Sequence, residues 1–285
     1  MHEKILTVSL ILALCGGCAE ELGYSSQVAP IQFGAEESLD IITWNLENYP
    51  KNFYLTVQAV ADLLRAIDAD VIALQEITSK SYFDDLVEAL DGYSGYRATS
   101  AYASLNLAYL YKSGLATDTP KEIFSYDSSA FPRSPLILNI NWNGETVVII
   151  NNHLKCCDEG IGRRRDAMEI FYKYLGDNYP EDNVILLGDL NDEIFDDDNV
   201  FIDFIKDTTN YIFADYDLAQ GSKSYWSYPS WPSHIDHILI TNDLFGSLVE
   251  TNTIRVDDTF FGGWTEYEVM VSDHRPVGVR FMFSE

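Results

Sequence analysis

The stretch LDIITWNLENYPKNFYLTVQAVADLLRAIDADVIALQE, residues 39–76, sets the architecture of this chain. Residues 39–45 read as a strand. In 53–68, Val57, Val60, Leu63, Leu64 and Ile67 recur at helical spacing. Residues 71–75 are an apolar run that reads as a buried strand closed by Glu76. This strand–helix–strand alternation predicts a mixed α/β fold. Working outward, Phe83, Leu86, Val87 and Leu90 put one apolar face on a helix over 79–90. Further strands are predicted at 107–112, 136–141, 146–152, 184–187, 234–240, 248–255 and 277–283. A helix over 162–176 carries Met168, Phe171 and Leu175 on one face. The strand-rich second half predicts antiparallel pairing as well. No internal repeat or second linker interrupts the pattern, so 38–285 reads as one domain.

The chain has 285 residues, enough to bury a sizeable core without cross-links. Hydrophobic residues at 47% and charged residues at 22% exclude wholesale disorder. The net charge of −27 repels polyanions at long range, which argues against a protein that coats nucleic acid non-specifically. It leaves open an enzyme that holds one phosphate through a metal ion. Residues 5–14, ILTVSLILAL, are too short to span a bilayer as a helix but fit the apolar part of an export signal. The small residues Gly16 and Gly17 before Cys18 resemble a bacterial lipoprotein cleavage site. The expectation is therefore a signal segment over 1–17, lipid on Cys18, a polar acidic tether over 18–37, and a location at the cell envelope. Plain secretion is the alternative. Cleavage before Cys18 discards Cys15 and leaves the adjacent pair Cys156 and Cys157. Two readings of that pair stand side by side: two free thiols, or a strained vicinal disulfide.

Polar motifs close several apolar runs, where a rigid sheet presents binding and catalytic groups. They are Thr43-Trp44-Asn45-Leu46-Glu47-Asn48, Gln75-Glu76, Asn151-Asn152-His153-Leu154, Gly188-Asp189-Leu190-Asn191-Asp192, His234-Ile235-Asp236-His237-Ile238 and Ser272-Asp273-His274-Arg275-Pro276. Each alone is an ordinary turn or cap. Together they form a set: Asn45, Glu47, Glu76 and Asp273 offer oxygen ligands suited to a hard cation. Asp189 can orient and deprotonate a water. Asn191, Asn45 and protonated imidazoles can hold a phosphoryl group as charge develops.

The ordered set TWNLEN, LQE, NNHL, GDLND, IDHI and SDHRPV resembles the endonuclease/exonuclease/phosphatase superfamily, from about Asp40 to Phe281. The resemblance implies a four-layer α/β sandwich, two packed mixed β-sheets flanked by helices. It implies a divalent metal, Mg²⁺ with Mn²⁺ or Ca²⁺ as substitutes, with Glu76 as principal ligand, Asn45 and Asp273 beside it, and Glu47 as a neighbouring or additional ligand. It makes His153 a phosphate contact or proton donor, Asp189 the activator of water and Asn191 its phosphate-binding partner. Asp236 then orients a histidine, and His274 contacts the scissile phosphate.

The implied activity is metal-assisted in-line hydrolysis of a phosphoester. An extracellular nuclease or phosphodiesterase, a phosphatase or phospholipid phosphoesterase, and a non-catalytic binding scaffold are the competing readings. The expected partners are a phosphoester substrate, nucleic acid among them, and a membrane reached through the lipid anchor. A monomer is expected. Tyr111 and Lys112 end a strand, and two readings stand for them: facing phosphate, or a solvated strand end. Arg163, Arg164 and Arg165 read as a solvated helical face, Asp196–Asp198 as a solvated loop, and His237 as turned away from Asp236 by strand alternation. Of Tyr225, Trp226, Tyr228 and Trp231, at least half are expected to pack a long loop.

Overall fold

The computed structural model describes residues 31–101 and 104–283. The expected signal segment 1–17, the lipidation candidate Cys18 and the tether as far as residue 30 lie outside the described residues. The strands, in chain order, are β1 (Leu39–Tyr49), β2 (Val71–Ile77), β3 (Tyr93–Arg97), β4 (Asn106–Lys112), β5 (Lys121–Glu122), β6 (Leu136–Trp142), β7 (Glu145–His153), β8 (Asn183–Asp189), β9 (Tyr211–Phe213), β10 (Asp236–Thr241), β11 (Leu248–Thr253) and β12 (Val277–Phe281). They form two six-stranded sheets, ordered β11-β12-β1-β2-β4-β3 and β5-β6-β7-β8-β10-β9. The helices are α1 (Phe53–Ile67), α2 (Lys80–Ala89), α3 (Ile161–Asn178), α4 (Ile202–Lys206), α5 (Tyr216–Gln220) and α6 (Gly263–Met270).

Each sheet is built around one parallel pair, β1–β2 joined through α1 and β7–β8 joined through α3. The remaining pairings are antiparallel. After completing the second sheet the chain returns to the first, placing β12 beside β1. That return carries the Ser272–Pro276 motif back to the start of the fold.

Side-chain alternation explains the layers. Leu39 and Ile41 of β1, Val147 and Ile149 of β7, Ile185 and Leu187 of β8, and Ile238 and Ile240 of β10 share one buried cluster between the sheets. The intervening Ile42, Trp44 and Leu46 pack with Val57, Val60 and Leu64 of α1. Val148, Ile150, Val184 and Leu186 pack with Met168, Phe171 and Leu175 of α3. The result is a four-layer α/β sandwich, with two mixed sheets between helical layers. Among the described residues, no helix is long and apolar enough to cross a membrane.

The differences from the sequence expectation have local causes. β3 and β9 are half-exposed or three residues long, and α4 and α5 are single short turns, so none carries a full period. β1, β7 and β8 run past their apolar residues into Tyr49, His153 and Asp189, because polar residues continue the ladder. The end of the expected tether is docked. Phe33 is buried, and Phe33 and Gly34 both donate backbone N–H to Ile67 O, at 3.0 and 2.8 Å.

The first residues of β10 show alternation acting on charge. His237 turns to the helical side, against Phe201 and Phe213. Its Nδ1 donates to Asp215 Oδ2 at 2.6 Å and its Nε2 to Asp192 O at 2.9 Å, so both ring nitrogens carry protons. Burial opposes that charge, but the Asp215 carboxylate outweighs it and raises the His237 pKa. Burial likewise opposes the Asp215 charge, yet His237 and His234 hold its carboxyl below the usual range. Asp215→Asn is expected to lower stability by about 3–5 kcal/mol, because an imidazolium stays buried without its partner. His237 contributes below its unfolded pKa and loses that contribution as pH rises through its raised native value. Asp215 contributes above its unfolded pKa and loses it as pH falls through its lowered native value. The gap between wild type and variant in urea unfolding should therefore be widest between about pH 4 and pH 6.5; equal stability across that window would contradict the ion pair.

Candidate active site

The positions that face the interlayer turn polar at one end of both sheets. Following Leu39, Ile41 and Thr43 on β1 comes Asn45; following Val71 and Ala73 on β2 comes Gln75. On β7, Val147 and Ile149 lead to Asn151 and His153, and on β8, Ile185 and Leu187 lead to Asp189. The ladder register sets these ends side by side: Asn45 opposite Gln75, His153 opposite Asp189, and Asp236 opposite Asp189. Gln75 Nε2 spans the sheets to Asn151 Oδ1 at 2.8 Å, and Asn151 Nδ2 returns to Leu74 O at 3.0 Å and Ala108 O at 3.1 Å. This amide bridge locks the two sheets beneath the site. At Gly188, φ is +141° and a Cβ would lie 1.8 Å from Asn152 O, so glycine is required for β8 to approach β7 here.

Glu76 reaches the site through a break in register. Between the pairs Asn45/Gln75 and Tyr49/Ile77, β1 advances four residues while β2 advances two. The bulge leaves Glu47, Asn48 and Glu76 at positive φ, +38°, +55° and +61°. Such left-handed backbone in non-glycine residues is a strain that clusters at functional sites. Glu76 Oε2 accepts from Asn48 N at 2.9 Å, and Asn45 Nδ2 lies 3.5 Å from Glu76 Oε1 and 2.9 Å from Asp189 Oδ2. Asn191, at φ +54°, donates its backbone N–H to Asp189 Oδ1 at 3.1 Å and its Nδ2 to Leu154 O at 3.3 Å.

Two histidines flank Asp189 with opposite electrostatics. His153 Nε2 is 3.4 Å from Asp189 Oδ2 and 3.9 Å from Glu76 Oε1. Burial, then the positive charges of Arg133, His274 and Lys155, push its pKa well below the usual value, so it is neutral. His274 Nδ1 donates to Asp236 Oδ2 at 2.7 Å, and its Nε2 stands 3.9 Å from Asp189 Oδ2 and 3.8 Å from Asp273 Oδ1. Burial opposes charge on His274, but Asp236, Asp189 and Asp273 outweigh it and push the pKa up to about 10. Asp189 is raised, chiefly by burial, with Asp236 and Glu76 adding to it. The His274 backbone is pinned: its carbonyl accepts from Trp44 Nε1 at 3.2 Å and from the Tyr267 hydroxyl, and its N–H donates to Ser272 Oγ at 3.0 Å.

The donor chemistry fits a hard divalent cation. Glu76 and Asp273 present carboxylate oxygens, and buried Asp273 Oδ1 has no hydrogen-bond partner among the described residues, whereas Asn45 Oδ1 accepts from Glu47 N at 2.9 Å and its Nδ2 is the atom turned towards Glu76 and Asp189. Glu47 is also here, but Glu47 Oε2 accepts from Lys51 and from Asp273 N at 2.9 Å, so it also fixes the Asp273 backbone. A second compact group, Asp215, His234 and His237, has ligand atoms close enough for a metal. Its atoms are already spent: Ile238 N donates to Asp215 Oδ1 at 2.7 Å, Ser227 N to His234 Nδ1 at 3.3 Å, and both nitrogens of His237 are engaged.

The structure thus brings together Asn45, Glu47, Glu76, His153, Asp189, Asn191, Asp236, Asp273 and His274. It does not bring in Lys112, which pairs with Asp68 and Asp70 at 3.1 Å, nor Tyr111, which lies opposite Val71 at the far end of β2. Arg164 corrects the expected solvated face: it is buried, with Nε donating to Asp192 Oδ2 at 2.8 Å, because its neighbours on α3 turn it under the 192 loop. Trp226 packs inward, whereas Trp231 is 77% exposed and the Tyr228 ring lies 4.8 Å from that of His274. Two contributors were not foreseen. Arg133 precedes β6, sits half-buried, feels the charges of Glu76 and Asp189, and donates to Leu154 O at 3.3 Å. Lys51 neutralises Glu47 and donates to Glu268 O at 2.6 Å. In sequence both are single basic residues in loops, and only the tertiary fold reveals what they face.

With this geometry in place, similarity to known proteins is informative. Xenopus tropicalis tyrosyl-DNA phosphodiesterase 2 is 25% identical over 157 residues, 55% of this chain and 41% of that protein, so the chain matches about two fifths of the relative's length. The D. rerio TDP2 structure in complex with a single strand DNA product superposes with a TM-score of 0.69 at 15% identity, covering 86% of this chain and 99% of that one. A Bacteroides thetaiotaomicron mannosyl-6-phosphatase superposes with a TM-score of 0.64 at 15% identity, covering 86% of this chain and all of the other. At such identities the superpositions establish the shared fold. The Endonuclease/Exonuclease/phosphatase family matches residues 42–274, a span that runs from β1 to His274, and the chain belongs to this family of phosphoesterases.

Proposed function

We propose that this chain is a metal-dependent phosphodiester hydrolase, a nuclease by preference, exported and held at the cell envelope by lipid on Cys18. One observation carries the hydrolase reading: Asp189 lies between neutral His153 and charged His274, with Asn45 Nδ2 at 2.9 Å and Asn191 N at 3.1 Å fixing its two oxygens. A Mg²⁺ ion held by Glu76, with Asp273 as a further oxygen donor, would supply Lewis-acid polarisation of the phosphate oxygens. The protein's own part follows from the protonation states. Asp189 accepts the proton of an attacking water, since its pKa is raised towards the working range. His274, charged to about pH 10, cannot be that base. It offers Nε2–H and positive charge to the phosphoryl oxygens, while Asp236 fixes its ring. Asn191 and Arg133 add donors on the His153 side.

The nuclease preference rests on the sequence match to a tyrosyl-DNA phosphodiesterase and on the similar structure bound to a single strand DNA product. One observation favours the runner-up, a phosphatase or a phosphoesterase of lipid headgroups. Phe53 and Trp231, two and three residues from Lys51 and Tyr228 in sequence, are 66% and 77% exposed on a chain carrying −27 net charge. Exposed aromatics on so acidic a chain suit a small or lipid-borne substrate better than a long polyanion.

The purified chain should cleave single-stranded DNA and a bis-aryl phosphodiester with Mg²⁺ or Mn²⁺, and lose both activities in chelator. Turnover of inositol phosphates or sphingomyelin alone would favour the runner-up, and no turnover with any divalent metal would favour a binding scaffold. Asp189→Asn should lower kcat by about 10²–10⁴-fold and His274→Ala by about 10²–10³-fold, with circular dichroism unchanged. Full activity in either variant removes that residue from the mechanism. Arg133→Ala should lower kcat/KM by about 10²-fold or more, as loss of a fixed donor to phosphate does; an unchanged value would confine Arg133 to holding the Leu154 carbonyl.

A further inference from the structure

Cys156 and Cys157 are two thiols that the proposed hydrolysis leaves unused. They lie three and four residues beyond His153 and are free, with Cys157 Sγ donating to Cys156 Sγ at 2.8 Å. Lys155 Nζ donates to the same Cys156 sulfur at 3.3 Å. Cys156 Sγ therefore lies against both the Lys155 ammonium and the Cys157 sulfur. Cys157 is exposed and its φ is +72°, so the backbone bends sharply at the pair. The carbonyls on either side hold the edge of the site. Leu154 O accepts from Asn191 Nδ2 and Arg133 Nη1, both at 3.3 Å. Lys155 O and Cys157 O accept from Arg164 Nη1 at 2.9 and 2.8 Å, and Arg164 holds Asp192.

We propose that Cys156–Cys157 is a modification site for small-molecule disulfides, which close it to a vicinal disulfide and shift the carbonyls that hold Arg164 and Asn191. Cys156 Sγ attacks one sulfur of the small disulfide, whose S–S bond breaks. One small thiol departs with the Cys156 proton, leaving a mixed disulfide. Cys157 Sγ then attacks Cys156 Sγ, the mixed bond breaks, and the second small thiol departs with the Cys157 proton. The two cysteines are oxidised and the small disulfide is reduced to two thiols. Exposure of Cys157 gives the entry path. Adjacent Cα atoms stand about 3.8 Å apart, closer than ordinary disulfides accept, so closing the ring moves the backbone rather than the side chains alone.

The test treats the full chain with oxidised glutathione and maps the tryptic fragment Cys156–Arg163. The expected fragment is two hydrogens lighter, carries no glutathione, resists alkylation and reverts with dithiothreitol. Cys157→Ser should trap glutathione on Cys156, while Cys156→Ser should react far more slowly. On oxidation, amide hydrogen exchange over residues 154–165 and 188–192 should rise, and hydrolysis of the bis-aryl diester should fall about tenfold, the usual effect of disturbing groups that orient a site. An unreactive pair, stable glutathione on both cysteines, or a closed ring with unchanged exchange would each overturn the proposal. The activity arm rests on the hydrolase reading, whereas the fragment and exchange arms do not. A reduced protein that hydrolyses nothing would sink that reading and leave this one to be decided by the other two.

Discussion

A side chain on a strand points to one face or the other, and this chain uses that constraint to build both its core and its site. Between the sheets, Leu39, Ile41, Ile149, Ile185, Leu187 and Ile238 exclude water completely. One or two rungs further along the same faces, the residues become Asn45, Gln75, Asn151, His153, Asp189 and Asp236. Changing the register by one residue would exchange Asn45, Gln75 and Asp189 with Trp44, Leu74 and Gly188 and bury the polar set under helices. The Gln75–Asn151 bridge protects against that slip, since it satisfies five polar groups only when the two sheets face each other as observed.

Much of this was legible in the sequence, for a physical reason. Residues 39–76 contain a full helical period between two apolar runs, and both signals survive without tertiary information. The polar residues ending those runs stood out because a carboxylate or imidazole at the end of four buried aliphatics demands an explanation. Arg133 gave no such signal. It lies in a loop between Phe131 and Pro135, and its value depends on Leu154, which arrives 21 residues later. Arg164 misled for the opposite reason: three consecutive arginines on a helix look solvated, yet the 192 loop covers one of them. Loops and helix faces take their meaning from what folds over them, which periodicity does not encode.

The site concentrates negative charge. Glu47, Glu76, Asp189, Asp236 and Asp273 converge, against the cations His274, Lys51 and Arg133. The excess is visible in Asp189 and Asp273, both raised by burial and by neighbouring carboxylates. Folding such a cluster costs free energy that a divalent cation offsets, and this is the physical argument for a metal that stands apart from family membership. It also reconciles a chain of −27 net charge with an anionic substrate. At a few ångströms the local cations and the metal dominate, while the distant acidic surface is screened beyond about 8–10 Å at physiological salt.

Two consecutive residues, Asp236 and His237, show how the same pair of groups acquires different roles. Asp236 faces between the sheets and binds His274, whose Nε2 lies 3.9 and 3.8 Å from Asp189 and Asp273, beyond hydrogen-bonding distance of either. His237 faces the helical layer and binds Asp215, but its other nitrogen is consumed by Asp192 O. Both are buried Asp–His pairs with the histidine charged. Only the first keeps an Nε2 proton clear of a carbonyl, and it keeps it at the polar end of the interlayer, among the site carboxylates. Chemistry in this fold is therefore allotted less by residue type than by which nitrogen the packing leaves unused.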